Sequence, residues 1–220
     1  MLHKEISIFV PIKSVSQRVP NKNYRIFDGA PLWKHTFDKL VNYNVYVDTD
    51  DPVLVSTLRE EYSNVTSYLR EDSMLGHEVS VCNLIKNWVE TFDPKGFLFQ
   101  VHVTSPFLKV KTLEQALSEM TEKNDSVFSC TEYQTRFWHQ NKSVNHDPKV
   151  LIQTQDLEPL YEENSLFYGF NKETALLGMR IGKSPLLYKT SKIESMDIDI
   201  EEDWDACVAQ QIRMKSNAEF

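Results

Sequence analysis

The feature that most constrains this chain is its alternation of short, β-branched apolar runs with segments of helical period. Ile6–Ile12, ISIFVPI, is apolar and too short for a buried helix, so it predicts a strand covered on both faces. A polar loop over residues 13–23 follows. Residues 31–41 then set Leu32, Trp33, Phe37, Leu40 and Val41 at helical spacing, behind a proline suited to a first turn. NVYVDTD reads as the next strand, and a helix starts near Asp51-Pro52 with Val53, Leu54 and Leu58 as its apolar side. Val65–Leu69 reads as a strand. Residues 79–92 and 113–120 read as helices, and 97–103, 125–130 and 166–170 as strands. A turn-rich stretch around Gly178 and Gly182 and a segment over 193–200 precede a last helix from about Trp204. Strands alternating with helices predict an α/β fold, a mostly parallel, mixed sheet flanked by helices. Residues 131–163 break the rhythm. They are polar and aromatic without a clear period, and a hairpin or arm outside the sheet is expected there.

The 220 residues fit one domain, residues 1–220, with no repeat or linker inside it. A net charge of −8 argues against a nucleic-acid partner, which would need a basic face. An acidic ligand must therefore be met by cations gathered locally. Cys82, Cys130 and Cys207 are widely spaced and form neither a metal pattern nor a disulfide framework, as in a reducing compartment. The apolar run near the N-terminus is too short for a signal peptide or a membrane span. A cytoplasmic protein without a membrane partner is expected.

Three clusters could carry chemistry. The first is the loop after the first strand, with Lys13, Ser14, Ser16, Gln17, Arg18, Lys22 and Asn23. Loops leaving the carboxyl ends of parallel strands are where open α/β sheets bind ligands. Three cations interleaved with small hydroxyls suit a triphosphate, although a solvated surface loop would look the same. It is no P-loop, for the loop holds no glycine. The second cluster is MDIDIEED. Alternation in a strand would aim Asp197 and Asp199 at one face, where a hard cation relieves their repulsion. The competing reading is an acidic strand end leading into a helix, with Asp203 as its N-cap. The third is VDTDD, with Asp48, Asp50 and Asp51. It weakly resembles the DxDGT nucleophile strand of haloacid-dehalogenase phosphatases, but Asp51-Pro52 stands where Gly-Thr should be, and Asp50 or Asp51 could simply cap the next helix. The six histidines have no metal spacing, and neither a G-x-S-x-G nor a Cys/His pair points to nucleophilic catalysis.

Together these segments resemble the acylneuraminate cytidylyltransferase (CMP-sialic acid synthetase) family. IFVPIKSVSQRVPNKN resembles that family's strand and nucleotide loop, A-R-x-x-S-K-x-x-P-x-K-N; YVDTDD its S-T-D; YLRED its L-R-P; HVTSPFL its Q-P-T-S-P-L-R. DSVFSC, ENSLFYGF and MDIDIEED follow in the family's order and spacing, so the resemblance runs from Ile6 to about Ala209. It implies a Rossmann-like, GT-A-like nucleotidyltransferase fold with a dimerisation arm. It also implies that Ser16, Lys22, Asn23 and Arg70 meet the nucleotide, joined by Lys13, Gln17, Arg18 and Ser80. His102, Thr104 and Asn164 would meet the second substrate, and Asp197 and Asp199 would hold Mg²⁺. Lys13, Arg18 and Lys22 would be the catalytic cations.

The pattern also departs from the family. Lys13 replaces the loop arginine, Gln17 the loop lysine (with Arg18 beside it), His102 a glutamine, and Leu108 an arginine, while Glu162 stands where sialate enzymes often carry arginine. The activity the resemblance implies is transfer of CMP from CTP to the anomeric hydroxyl of an acidic 2-keto sugar, with release of pyrophosphate, by a homodimer. Kdo, pseudaminic and legionaminic acids are alternative acceptors, although Kdo enzymes carry a Q-G-D-E-P type sequence in place of HVTSP. A glycosyltransferase using DID as a metal-binding DxD, or a nucleotide-binding homologue without turnover, are alternatives of other classes.

Overall fold

Seven strands form the central sheet of the computed structural model, which describes residues 5–76 and 78–218. In chain order the first half comprises β1 (Ile6–Ile12), the two-residue strands β2 (Ile26–Phe27) and β3 (Ala30–Pro31), α1 (Leu32–Phe37), β4 (Asn44–Thr49), α2 (Pro52–Glu61) and β5 (Val65–Leu69). After these come α3 (Val81–Phe92), β6 (Phe97–Val101), α4 (Val110–Glu119) and β7 (Ser126–Tyr133). The short ribbon β8 (Trp138–His139) and β9 (Lys142–Ser143) precedes β10 (Leu160–Phe170), α5 (Lys172–Leu176), β11 (Pro185–Lys189) and α6 (Glu201–Ala218). The sheet order is β11-β7-β10-β6-β1-β4-β5. Strands β6, β1, β4 and β5 run parallel, as do β11 and β7, whereas β10 is antiparallel to both its neighbours. The sheet is mixed and mostly parallel, as the alternation predicts.

Period-two alternation divides the core. Ile8, Val10 and Ile12 point to the face covered by α1, α2 and α4, against Phe37, Leu58 and Leu113. Phe9 points the other way, where it stacks on Trp88 of α3 with ring centroids 5.0 Å apart. A third cluster is smaller and matters more for the site. Val19, Phe27, Leu32, Phe107, Ile198, Trp204 and Cys207 pack together beyond the sheet, and join the loop after β1 to the chain entering α6. Gly169 of β10 admits no side chain: a Cβ there would lie 2.7 Å from atoms of both Phe99 and Val127.

Several boundaries differ from the sequence reading. The first helix stops at Phe37 rather than 41, and Pro31 is its N-cap. On α2 the buried side is Leu54, Val55 and Leu58, and Val53 faces solvent. The stretch around Gly178 and Gly182 leads into β11, an edge strand parallel to β7. Residues 193–200 form no strand; they turn at 192–195 and then run extended with one backbone bond to the core, from Ile198 N to Thr104 O at 3.0 Å. The irregular region 131–163 is the outer part of the β7/β10 pair, a β8/β9 ribbon and a 3₁₀ turn at Thr154–Asp156. Among the described residues no helix is long and apolar enough to cross a membrane.

Candidate active site

The polar loop leaves the carboxyl end of β1 beside the end of β4, and four contacts shape it. Ser14 N donates to Asp50 Oδ1 at 2.6 Å, which ties the loop to the neighbouring strand end. The Val19 side chain is fully buried in the third core cluster. Lys22 N donates to Val19 O at 3.2 Å, while the Asn23 amide donates to Lys13 O at 2.9 Å and closes the loop on itself. The oxygen of that amide, Asn23 Oδ1, is buried with no hydrogen-bond partner among the described residues. A buried acceptor left unpaired is costly unless a ligand supplies a donor.

Facing the loop, Ile198 is fully buried, and Asp197 and Asp199 flank it and border the same cavity. The two carboxylates thus share a side as expected, although the segment is no sheet strand. Burial of the intervening isoleucine sets the alternation. Asp197 Oδ1 accepts from Ser105 Oγ at 3.2 Å. Asp199 Oδ1 accepts from Arg18 Nη2 at 2.7 Å and lies 3.5 Å from Lys22 Nζ, which donates to Ile198 O at 2.5 Å. Asp203 is not the N-cap. It lies in the first turn of α6, and its Oδ2 reaches back to accept from Asp199 N and Ile200 N, both at 2.9 Å. Asp51, by contrast, does cap α2, accepting from Val53 N at 2.8 Å.

A cleft of about 490 Å³ gathers Lys13, Ser16, Gln17, Arg18, Lys22, Asn23, Arg70, His102, Thr104, Asp197 and Asp199. An adjoining cavity of about 360 Å³ is lined by Asn164, with Ser165, Asp197 and Asp199 bordering both. Ser80 is not among the lining residues. Its hydroxyl accepts from Cys82 N at 3.1 Å and caps α3. Asn164 is tied to neighbouring segments, donating to Thr131 Oγ1 of β7 and to Thr190 Oγ1 just after β11 at 2.9 and 2.8 Å. Arg70 borders the cleft from inside a buried ion pair: its Nε donates to the Asp48 carboxylate and its Nη2 to Asp48 O at 3.3 Å. Burial pushes Asp48 up from the ordinary carboxylate range, and Arg70 opposes the shift.

Three residues of the cleft region escape the sequence reading: Gln100, Ser165 and Arg180. Arg180 Nη1 donates to Gln100 Oε1 at 3.3 Å, and Gln100 Nε2 lies 2.8 Å from His102 Nε2. An arginine can only donate, so the amide oxygen of Gln100 must face it and the amide nitrogen must face His102. His102 Nε2 is therefore the acceptor, and Nδ1 carries the proton of a neutral ring. Burial holds the His102 pKa below the ordinary histidine value, against the opposing pull of the Asp197 charge. The available signals were a glutamine inside the apolar strand FLFQV and an arginine in a turn. Ser165 has a positive φ of 59° at the β10 irregularity.

Two carboxylates on one side of a cleft suit magnesium, which takes one or two protein carboxylates and completes its shell with phosphate oxygens and water. No group of three or more His, Cys, Asp or Glu side chains forms a metal cluster among the described residues. Asp197 and Asp199 fit the two-carboxylate case.

The chain is similar to known proteins along nearly all its length. N-acylneuraminate cytidylyltransferase A of Danio rerio is 25% identical over 225 residues, covering 96% of this chain and 51% of that protein. The CMP-N,N'-diacetyllegionaminic acid synthase of Legionella pneumophila is 24% identical over 214 residues, 89% of this chain and 91% of that protein. The chain spans about half the length of the curated N-acylneuraminate relatives it matches. In fold it is similar to a CMP:2-keto-3-deoxy-manno-octonic acid synthetase solved with CTP, at a TM-score of 0.66 and 12% identity, covering 96% of this chain and 99% of that one. The family model described as cytidylyltransferase matches residues 7–218, from β1 through both cleft-forming segments to the end of α6, and the chain belongs to that family.

Proposed function

We propose that the protein transfers CMP from CTP to the anomeric hydroxyl of an acidic 2-keto sugar of the nonulosonate kind. The observation that carries this reading is the convergence of Lys13, Arg18 and Lys22 with Asp197 and Asp199 on one cleft, at the carboxyl end of β1. The oxygen of the sugar hydroxyl forms a bond to the α-phosphorus as the bond to pyrophosphate breaks, in line, and the hydroxyl proton passes to solvent. Such chemistry depends on positioning and on neutralising charge. Lys13, Arg18 and Lys22 take up the charge collecting on the departing pyrophosphate. Asn23 Oδ1 accepts from a ribose hydroxyl, which removes an unpaired buried acceptor. His102 and Thr104 position the sugar from the cleft wall. Asp197 and Asp199 hold Mg²⁺, which when bound polarises the α-phosphate and lowers the pKa of the attacking hydroxyl.

The reaction belongs to a reducing, cytoplasmic compartment, consistent with three free cysteines. The acting form is a homodimer joined through residues 131–163. The deciding experiment measures pyrophosphate release from CTP, UTP, ATP and GTP, with N-acetylneuraminic, pseudaminic, N,N'-diacetyllegionaminic acid and Kdo as acceptors. The expected result is CTP-selective, sugar-dependent release that needs a divalent cation. Equal rates with UTP or ATP would remove the cytidylyl reading, and phosphate release without sugar would favour a phosphatase.

A further inference from the structure

The cleft contains a cation that the loop after β1 does not supply. Arg180 lies between α5 and β11, and its guanidinium carbon sits 3.6 Å above the ring centroid of Tyr168, which is itself fully buried in β10. Its Nη1 donates to the buried Gln100 at 3.3 Å. Its ion partner is Glu163 at a long 3.5 Å, and that carboxylate also accepts from the Tyr168 hydroxyl at 2.5 Å. The Arg180 side chain is 23% exposed and lines the cleft, while Glu163 lines the adjoining cavity. A guanidinium presents five N–H donors in a rigid planar fork, and stacking on a buried ring fixes that plane. Nη1 and Nη2 each give one N–H, to Gln100 and Glu163, and the long Glu163 contact is the exchangeable one: a planar, bidentate carboxylate matches the fork in shape and charge and can take its place. From this we infer that Arg180 receives the carboxylate of the acceptor sugar and is the residue that selects acidic acceptors.

This inference rests on the proposed function and can fail without it. The test uses the acceptor that the wild type turns over among N-acetylneuraminic, pseudaminic and N,N'-diacetyllegionaminic acids, together with the same sugar carrying a carboxamide in place of its carboxylate. Arg180→Met should raise the KM for the acid sugar by roughly 10–100-fold, the scale of hydrogen bonds to a charged group, and leave the KM for CTP unchanged. The carboxamide should cost the wild type a similar factor and cost Arg180→Met little more, because both changes remove the same interaction. Arg180→Lys keeps the charge but not the fork and should fall between; it carries the test if the methionine variant does not fold. Equal penalties on both acceptors, or an unchanged KM for the acid sugar, would overturn the inference and leave the function intact. Absence of turnover by the wild type with all three sugars would sink both.

Discussion

Arg18 Nη2 and Asp199 Oδ1 stand 2.7 Å apart, joining the loop after β1 to a carboxylate 181 residues further along the chain. Their side chains are 62% and 48% exposed, so water screens the pair and it contributes only about 0–1 kcal/mol. The lasting link between the two segments is apolar. Val19 of the loop and Ile198 of the acidic segment are both fully buried in the cluster that also seats Trp204. Buried hydrophobic anchors therefore set the distance between cations and carboxylates, while the charged tips stay exchangeable for ligand oxygens.

The Asp48–Arg70 pair behaves differently, because both side chains are almost wholly buried. Removing one partner strands the other charge in a low-dielectric site. Arg70→Met and Asp48→Asn should each lower unfolding stability by about 3–5 kcal/mol, measured by urea denaturation. A loss below about 1 kcal/mol for both would show that the pair is not a structural strut. Nucleotide affinity should fall with Arg70→Met as well, since Arg70 borders the cleft.

Asp125 should give the protein an acid-sensitive joint. Burial raises its pKa, but the N–H groups of Lys183 and Ser184 and the Ser126 hydroxyl outweigh that, and the net shift is downward. A carboxyl with a lowered folded-state pKa stabilises the fold above the unfolded value, about 4, and the contribution disappears as pH falls through the folded value. Asp125→Asn should thus lower the melting temperature at pH 7, and the gap from wild type should close below about pH 4. Gly182→Ala should disturb the same joint, because a Cβ there would lie 2.3 Å from the Asp125 carboxylate. A gap that is constant from pH 7 to pH 3 would contradict this account.

Residues 131–163 should carry the dimer contact. Trp138 and Leu151 are 56% and 90% exposed, and Val150 and Tyr161 are exposed with them. Light scattering at micromolar concentration should give twice the mass of one chain, and a Trp138→Ser, Leu151→Ser double variant should shift it toward a monomer. A monomeric wild-type mass would rule the arm out as an interface.

Six strands of the central sheet and the loop cluster were legible in the sequence because their signals are local. Ile6–Ile12 is one apolar run, and Lys13 to Asn23 are near neighbours. Asp197 and Asp199 were legible for a related reason: period-two alternation records burial of Ile198, whether or not a ladder forms. What stayed hidden depends on tertiary packing. Nothing in GMRIGK announces that Arg180 lies over Tyr168 or reaches Gln100, residues 12 and 80 positions away. The hydroxyl of Ser80 could serve a ligand or a helix end, and only the geometry assigns it to α3. Likewise β11 is a short edge strand that begins at Pro185, and its pairing with β7 has no local signature.

The metal assignment makes the sharpest prediction. Asp197→Asn and Asp199→Asn should each reduce kcat by roughly 10²–10³-fold, the usual cost of losing one electrostatic group at such a site. Neither should unfold the protein, because among the described residues the Asp197 carboxylate accepts only from the Ser105 hydroxyl, at 3.2 Å, and Asp199 is half exposed. Asp203→Asn should be mild. The asparagine side-chain oxygen can still accept from Asp199 N and Ile200 N, as Asp203 Oδ2 does, so the start of α6 keeps its shape. Steady-state rates over a magnesium titration, with melting temperatures as the control, separate the cases. Two severe variants and one mild one support a two-carboxylate metal site. Near-normal activity in Asp199→Asn with an unchanged magnesium dependence would end it, and Asp199 would then be a partner for Arg18 and Lys22 alone.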